Sequence, residues 1–398
     1  MVNNKQLLFV IYLPSFLLAV VQGLLILLAP LLALKGEASW LEAGFLMALK
    51  NTGTLFSSLP AGFAIARYGD KRLMLFGAAL MGLACLLIYY GQSYLSLLTS
   101  MILFGLGMGS WTLARQTFMS AYIDVSERGR YMSVLAAVQR GGMFVGPLLA
   151  GIVSLYYDFE IAFLISTLLV VFAFILLLTN KVEGHNKVKL QSFRKTFSYI
   201  PDLIKTYRSA FINSALFMVS FKWVRAGIQL LIPLWGHQIG LVTEEIAFAF
   251  AITAFLDIAF LYLGGSIADR YGRKWSGGLS LSLLSLSLIL LNWSNDYASF
   301  LIISALAGVS NGLGGGIIMT IGADLAPSTN RGLFLGSWRL VGDVTGVLSP
   351  LLIGGLGALF TLGVAAAGSG AVGLLGTGLL IFYAKETLDN AGKKNALK

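Results

Sequence analysis

The chain has 398 residues, of which 57% are hydrophobic and only 12% are charged. A soluble domain averages about 25% charged residues, so this composition excludes a water-soluble globular protein and makes lipid the main solvent. The net charge of +10 would suggest nucleic acid as the partner of a soluble protein, but here it is assigned to the loops of a membrane protein. The single cysteine, Cys85, excludes an internal disulfide.

Twelve apolar runs of about 20 residues or more follow one another along the chain. Such a run crosses about 30 Å of hydrocarbon as a helix, because a backbone in lipid must satisfy its own hydrogen bonds. The sequence therefore predicts an all-α membrane protein with twelve transmembrane helices. The predicted spans, numbered 1 to 12, are 7–34, 42–66, 73–92, 94–120, 131–156, 160–180, 209–236, 245–268, 275–293, 297–323, 333–358 and 362–384.

The loop after span 2 is repeated after span 8. The stretch Gly62–Lys71 returns 203 residues later as Gly265–Lys274. Its identical positions are Gly62 and Gly265, Arg67 and Arg270, Tyr68 and Tyr271, Gly69 and Gly272, and Lys71 and Lys274. Arg128 and Pro147, around span 5, recur at the same offset as Arg331 and Pro350. These repeats predict a duplicated membrane bundle.

The distribution of Lys and Arg predicts the boundaries and the orientation. The chain divides into a six-helix bundle (1–180), a cytoplasmic basic linker (181–208) and a second bundle with a short cytoplasmic tail (209–398). With the N-terminus inside, 21 of the 28 bases are cytoplasmic and only Lys35 is external, so both termini are predicted to be cytoplasmic. The linker is interpreted as a solvated segment near anionic lipid, with an amphipathic surface helix as the alternative.

The repeated loop resembles the motif G-x-L-A-D-R-x-G-R-K of the major facilitator superfamily of transporters. The resemblance implies two pseudo-symmetric six-helix bundles whose cytoplasmic ends are latched by this loop. The implied latch residues of the second copy include Asp269 and Arg273. In the first copy Ala66 replaces the aspartate, and Asp70 lies four residues later. Physically, the glycines allow a tight turn, the bases hold the loop at the inner surface, and the acid can pair or cap a helix.

Span 5 contains a glycine-proline pattern that resembles the motif of the family's drug:proton antiporters. Its residues are Gly142, Gly146, Pro147 and Gly151. Proline bends a helix and small residues allow close approach, so generic helix packing is the alternative reading. Those antiporters also carry an arginine early in helix 4, where this chain has Met101. The glycine run 312–316 in span 10 is interpreted as a packing or flexibility site.

Charges inside the spans are the candidate functional residues, since each costs about 2.5–3.5 kcal/mol even on insertion scales. They are the bases Lys50, Arg115, Arg140, Lys222, Arg225 and Arg339 and the acids Asp257 and Asp343. Arg339 and Asp343 are spaced to pair along one helix face. The helix neighbours of the resembled fold make Arg140–Asp257 and Lys50–Asp343 further candidate pairs, either static or gating.

Three of these bases have no obvious acidic partner in the sequence: Arg115, Lys222 and Arg225. In the resembled family, helices 1, 4, 7 and 10 line the central cavity, so these bases predict a substrate with carboxylate or phosphate groups. Gln22, equivalent to Arg225 by the 203-residue offset, could add hydrogen bonds. For Arg115 the alternative is that it caps helix-end carbonyls or reaches phospholipid.

The predicted function is proton-driven export of a small organic molecule, anionic or zwitterionic, through alternating access in the cytoplasmic membrane. Asp257 and Asp343 are the predicted proton carriers, because a buried carboxylate that exchanges neighbours changes its proton affinity. The predicted partners are the substrate, protons and the lipid bilayer, with no nucleic acid, metal or cofactor, and the chain is expected to act as a monomer. The alternatives are uptake of an organic anion by symport, a lipid flippase and a non-transporting receptor or scaffold. An enzyme is not expected, because no nucleophile–base set and no ATP-binding loop is found.

Overall fold

The computed structural model describes residues 4–91, 93–123, 127–158, 160–180, 208–326, 331–383 and 386. These residues form helices and no strand. The helices are α1 (Leu13–Lys35, preceded by a π-helical stretch Leu8–Tyr12 and a turn Asn4–Leu7), α2 (Trp40–Tyr68), α3 (Asp70–Gly91), α4 (Tyr94–Tyr122), α5 (Arg128–Tyr156), α6 (Ile161–Thr179), α7 (Arg208–Gln238), α8 (Thr243–Tyr271), α9 (Arg273–Leu290, followed by a 3-10 turn Leu291–Trp293), α10a (Tyr297–Leu313), α10b (Ile317–Leu325), α11 (Arg331–Leu359) and α12 (Leu362–Tyr383).

When α10a and α10b are counted as one span, eleven of the twelve helical segments of the described residues are long and apolar enough to cross a membrane. The remaining segment, α2, has 29 residues and carries the polar run Lys50-Asn51-Thr52 near its middle. The chain is therefore an integral membrane protein, and the predicted fold class is confirmed. Several helices extend two or three residues beyond the apolar run, because polar caps satisfy their first N–H groups. Ser39 and Glu42 form such a capping box on α2.

The predicted span 10 is interrupted, which the sequence analysis did not anticipate as a break. Helix α10a ends at Leu313 and α10b begins at Ile317, with the glycines 314–316 in a turn between them. Each glycine in a helix costs about 1 kcal/mol relative to alanine, so a run of them favours the break. Carbonyl groups around the break accept from both backbone and side chains: Gly312 O accepts from the Gly315 N–H at 3.0 Å, and Ser280 Oγ donates to the Ser310 oxygen at 2.6 Å.

The chain divides into two compact units. One comprises Met1–Leu190 with Gly236–Ala251, and the other comprises Gln191–Trp235 with Ile252–Lys398. The predicted bundle boundaries at 180 and 209 stay a prediction. The predicted linker lies outside the described residues except for Arg208, and the predicted tail lies outside them except for Glu386.

Glycines bring helix backbones of the first unit into direct contact. A Cβ atom at Gly146 of α5 would lie 2.3 Å from the carbonyl oxygen of Val20 on α1. Pro147 follows at once, and its Cδ atom would lie 3.1 Å from a Cβ at Gly23 of α1. Only glycine allows this approach, so the glycine-proline pattern packs α5 against α1. Gly151, further along α5, faces Ala247 and Phe248 of α8, which belong to the same unit.

We expect Gly142→Ala to lower the unfolding temperature of the purified protein, because its Cβ would lie 2.6 Å from both Ala19 Cβ and Phe16 O. Such overpacking costs about 1–3 kcal/mol. The matched control is Gly141→Ala on the same helix turn, where the nearest atom is 3.7 Å away. A thermal scan in detergent in which both variants unfold at the same temperature would contradict the packing role of Gly142.

Candidate functional site

Arg115 of α4 is deeply buried in the first unit, with 3% of its surface exposed. Its Nη1 donates to Ser15 Oγ of α1 at 3.2 Å. The amide oxygen of Gln139 on α5 accepts from Nη1 at 3.1 Å and from Nη2 at 3.2 Å. This amide orientation follows from the hydrogen-bond network, because a guanidinium carries donors only. Three helices thus converge on one cation.

The partners of Arg115 are neutral. Within the described part of the chain no carboxylate forms an ion pair with it, and its Nε atom is buried without a hydrogen-bond partner. The predicted alternatives, capping of helix-end carbonyls or reaching phospholipid, stay predictions. A buried, uncompensated charge costs several kcal/mol, so the site favours an incoming anion.

Lys50 of α2 is a second buried base of the same unit, with 6% of its surface exposed. Its backbone lies against α4, where a Cβ at Gly105 would be 2.0 Å from the Lys50 carbonyl oxygen. Among the described residues its ammonium group makes no hydrogen bond or ion pair. Gln22 of α1, half-buried, likewise makes no side-chain hydrogen bond within the described ranges, so its predicted role in binding stays a prediction.

Arg225 of α7 contacts the break in helix α10. Its Nη2 donates to the carbonyl oxygens of Asn311 at 3.3 Å and Gly314 at 3.4 Å. Its guanidinium also lies 4.6 Å from the ring centroid of Phe221, a cation–π contact. The arginine therefore donates to carbonyl groups on both sides of the end of α10a, and the Gly314 carbonyl also accepts from the Ile317 N–H at 3.2 Å.

Lys222 lies one turn before Arg225 on α7 and packs against α11. Its Cε would be 3.4 Å from a Cβ at Gly342. The charges around it are Arg225, Asp343 and Arg339. Arg339 and Asp343 form the ion pair expected from their spacing, with Nε and Oδ2 3.5 Å apart. These four charged side chains therefore lie close together in the second unit.

Arg140 of α5 and Asp257 of α8 are both half-buried. They belong to different units, as do Lys50 and Asp343. The predicted Arg140–Asp257 and Lys50–Asp343 pairs therefore stay predictions. So do the roles of all the intramembrane charges in proton coupling or gating.

The second copy of the loop motif is built around Arg273. This side chain pairs with Asp269 on α8 and, through Nε, with Asp324 of α10b at 3.6 Å. The turn itself is Gly272, whose φ of 106° favours glycine. Glu386 accepts hydrogen bonds from the backbone N–H groups of Arg273 at 2.9 Å and Lys274 at 3.1 Å, and so caps α9. Arg273 also borders a cavity of about 180 Å³ between α8, α9 and the two parts of α10.

The first copy of the motif has a different set of charges. Its turn is Gly69, with a φ of 86°, and Arg67 lies 5.3 Å from the Tyr68 ring. Asp70 stands where the second copy has Arg273 and is only 5% exposed. Its carboxylate accepts from the Lys71 N–H at 2.8 Å. The second copy's ion pair thus has no counterpart among the described residues of the first.

Two motif glycines differ from their predicted role. Gly62 and Gly265 lie inside α2 and α8, not in the turns. No atom lies within 4 Å of a Cβ placed on either. The positive φ angle of each turn is at a different glycine, Gly69 in the first copy and Gly272 in the second. Arg270, at the end of α8, is exposed.

Several contact residues were missed by the sequence analysis. They are Ser15, Gln139, Glu160, Asn311, Asp324 and Glu386. Glu160, 8% exposed, pairs with Lys35 at 2.5 Å and so compensates the one base predicted to be external. Neutral Ser, Gln and Asn side chains carry no charge signal in a sequence. The three acids, however, could have been sought at helix ends near unpaired bases.

The comparisons with known proteins agree with this fold. The sequence matches the Major Facilitator Superfamily over residues 11–256 and 210–398. The cis,cis-muconate transport protein of Acinetobacter baylyi is 22% identical over 365 residues, covering 89% of this chain and 88% of that protein. The class H tetracycline resistance protein of Pasteurella multocida is 22% identical over 315 residues, 78% of each chain. A solved D-xylose-proton symporter shares the fold, with a TM-score of 0.76, 15% identity and 96% and 98% coverage.

Eleven apolar spans among the described residues, together with the duplicated loop motif and the family match, define a helical membrane transport protein. The chain belongs to the Major Facilitator Superfamily and is a transporter of small molecules. The predicted family is thereby confirmed.

We expect Asp324→Asn to destabilise the protein more than Asp269→Asn. Both acids pair with Arg273, but the Asp324 side chain is 16% exposed and that of Asp269 is 70% exposed. Losing the less exposed partner should cost about 2 kcal/mol, against less than about 1 kcal/mol for the exposed one. The unfolding temperatures of the two purified variants show which substitution destabilises more. A larger decrease for Asp269→Asn would mean that Asp269, not Asp324, is the more important partner of Arg273.

Proposed function

We propose that the protein exports a small organic anion or zwitterion across the cytoplasmic membrane, by alternating access and in exchange for protons. The observation that carries this proposal is Arg115, a base 3% exposed whose described partners are all neutral. A cation in such a place costs several kcal/mol unless an anion visits it. The bases of the loops and termini support an orientation with both ends of the chain in the cytoplasm.

The second unit supports the same substrate charge. Lys222 forms no ion pair within the described residues, and it lies near Arg225 and the Arg339–Asp343 pair. Arg225 donates to the carbonyl groups of Asn311 and Gly314 and contacts the ring of Phe221.

Two relatives bear on substrate and direction. One is named for transport of cis,cis-muconate, which is a dicarboxylate at neutral pH, and this favours an organic anion. The other is named for tetracycline resistance, which favours export. Uptake of an organic anion by symport is the second candidate, supported by the muconate relative. For proton exchange we propose Asp257 and Asp343, the acids predicted inside the spans.

We expect Arg115→Ala to lower anion flux about tenfold or more, since it removes charge-assisted hydrogen bonds worth about 1.5–3 kcal/mol. The assay uses proteoliposomes of full-length protein, with an imposed pH gradient of either sign. The probes are cis,cis-muconate, benzoate and a cationic dye. Arg130→Ala is the control, because it removes an exposed base. Dye flux without anion flux, or equal anion flux in both variants, would refute the proposal.

Lys222→Ala should abolish anion flux while the variant still reaches the membrane in normal amounts. Lys222 forms no ion pair within the described residues, so its removal leaves no acid unpaired and the fold should tolerate it. Membrane abundance and flux are measured on the same vesicles. A variant that loses abundance but keeps flux per molecule would instead assign Lys222 to the fold.

A further inference from the structure

The guanidinium of Arg115 is held on two of its three edges. Five N–H groups are available in a planar fork. Gln139 accepts one N–H from Nη1 and one from Nη2, and Ser15 accepts the second N–H of Nη1. Both donors of Nη1 and one donor of Nη2 are therefore used.

The remaining edge carries two parallel donors. They are the Nε–H group and the second N–H of Nη2, which lie side by side on the edge opposite Nη1. Nε is buried and makes no hydrogen bond within the described part of the chain. Two parallel N–H groups match the two oxygens of a carboxylate or phosphate, and this bidentate geometry is the strongest that arginine offers.

We propose that the Nε/Nη2 edge of Arg115 binds an oxyanion group of the transported molecule side-on, and that Ser15 and Gln139 are positioning residues that fix the plane of the guanidinium. This inference rests on the proposed function and deepens it, since it names the group that is recognised. The ligand presents two oxygens of one carboxylate or of one phosphate.

Ser15 and Gln139, the two positioning residues, are neutral, so they orient the guanidinium without cancelling its charge. A glutamate at position 139 could accept the same hydrogen bonds as Gln139, but it would also neutralise the guanidinium. The amide fixes the orientation of Arg115 and leaves the full positive charge for the ligand. If Arg115 only held α1, α4 and α5 together, an acidic partner would be expected at position 139, because it would neutralise the buried charge of the arginine.

This contrast defines the experiment. The thermal unfolding of the purified full-length protein is followed with rising concentrations of cis,cis-muconate, benzoate and inorganic phosphate, each compared with chloride at equal ionic strength. In the wild type we expect an oxyanion to raise the unfolding temperature by mass action. If only muconate and benzoate stabilise the protein, the recognised group is a carboxylate. If only phosphate does, the recognised group is a phosphate.

Two variants test the edge. Arg115→Lys keeps the charge but loses the paired donors, so the half-saturating concentration should rise about tenfold. Gln139→Glu should abolish the oxyanion effect while the ligand-free unfolding temperature stays equal or rises. Gln238→Glu adds the same charge at an exposed position and should behave as wild type. If Gln139→Glu does not fold, Ser15→Ala replaces it, with an expected rise of about fivefold.

The inference is overturned if no oxyanion stabilises the wild type beyond chloride, or if Arg115→Lys and Gln139→Glu respond as the wild type does. Anion flux in proteoliposomes together with either result would leave the proposed function intact and remove only the binding edge. Oxyanion stabilisation that depends on Arg115, without anion flux, would keep the binding edge and remove the proposed function.

Discussion

The structure depends on a cation buried among neutral groups. Arg115 is sequestered from solvent, and its described partners are a hydroxyl and an amide. Hydrogen bonds orient a guanidinium but do not cancel its charge, so the free energy of burying that charge remains stored at the site. The other bases with resolved acid partners, Lys35, Arg273 and Arg339, show that this chain compensates bases with acids elsewhere.

Close helix packing makes such a site possible. Ser15, Arg115 and Gln139 come from α1, α4 and α5, and glycines of α5 bring its backbone onto α1. Because the backbones of α1 and α5 are in contact at Gly142 and Gly146, the side chains of Ser15 and Gln139 both reach the arginine. The glycine-proline pattern therefore acts on the site through helix spacing, without touching the cation itself.

Most of the fold was predictable from the sequence, because long apolar runs have one solution in lipid, and every predicted span corresponds to a helix in order. The ion pair Arg339–Asp343 was predictable for a similar reason, since helical spacing alone places both groups on one face. The break in α10 and the contacts of Arg115 were not. The break depends on donors from α7 and α9, and Gln139 is an ordinary polar residue until the packing of α5 brings it to the guanidinium.

The two half-chains hold their arginines in different ways, and the difference bears on movement. Arg115 is bonded by side chains of neighbouring helices, so its position follows those helices as a whole. Arg225 is bonded by the Asn311 and Gly314 carbonyls at an interrupted helix. The Gly314 carbonyl also accepts from the Ile317 N–H at 3.2 Å, so the arginine and the backbone share this acceptor at the break. The charge of Arg225 and the state of α10 are thus coupled through shared carbonyl groups.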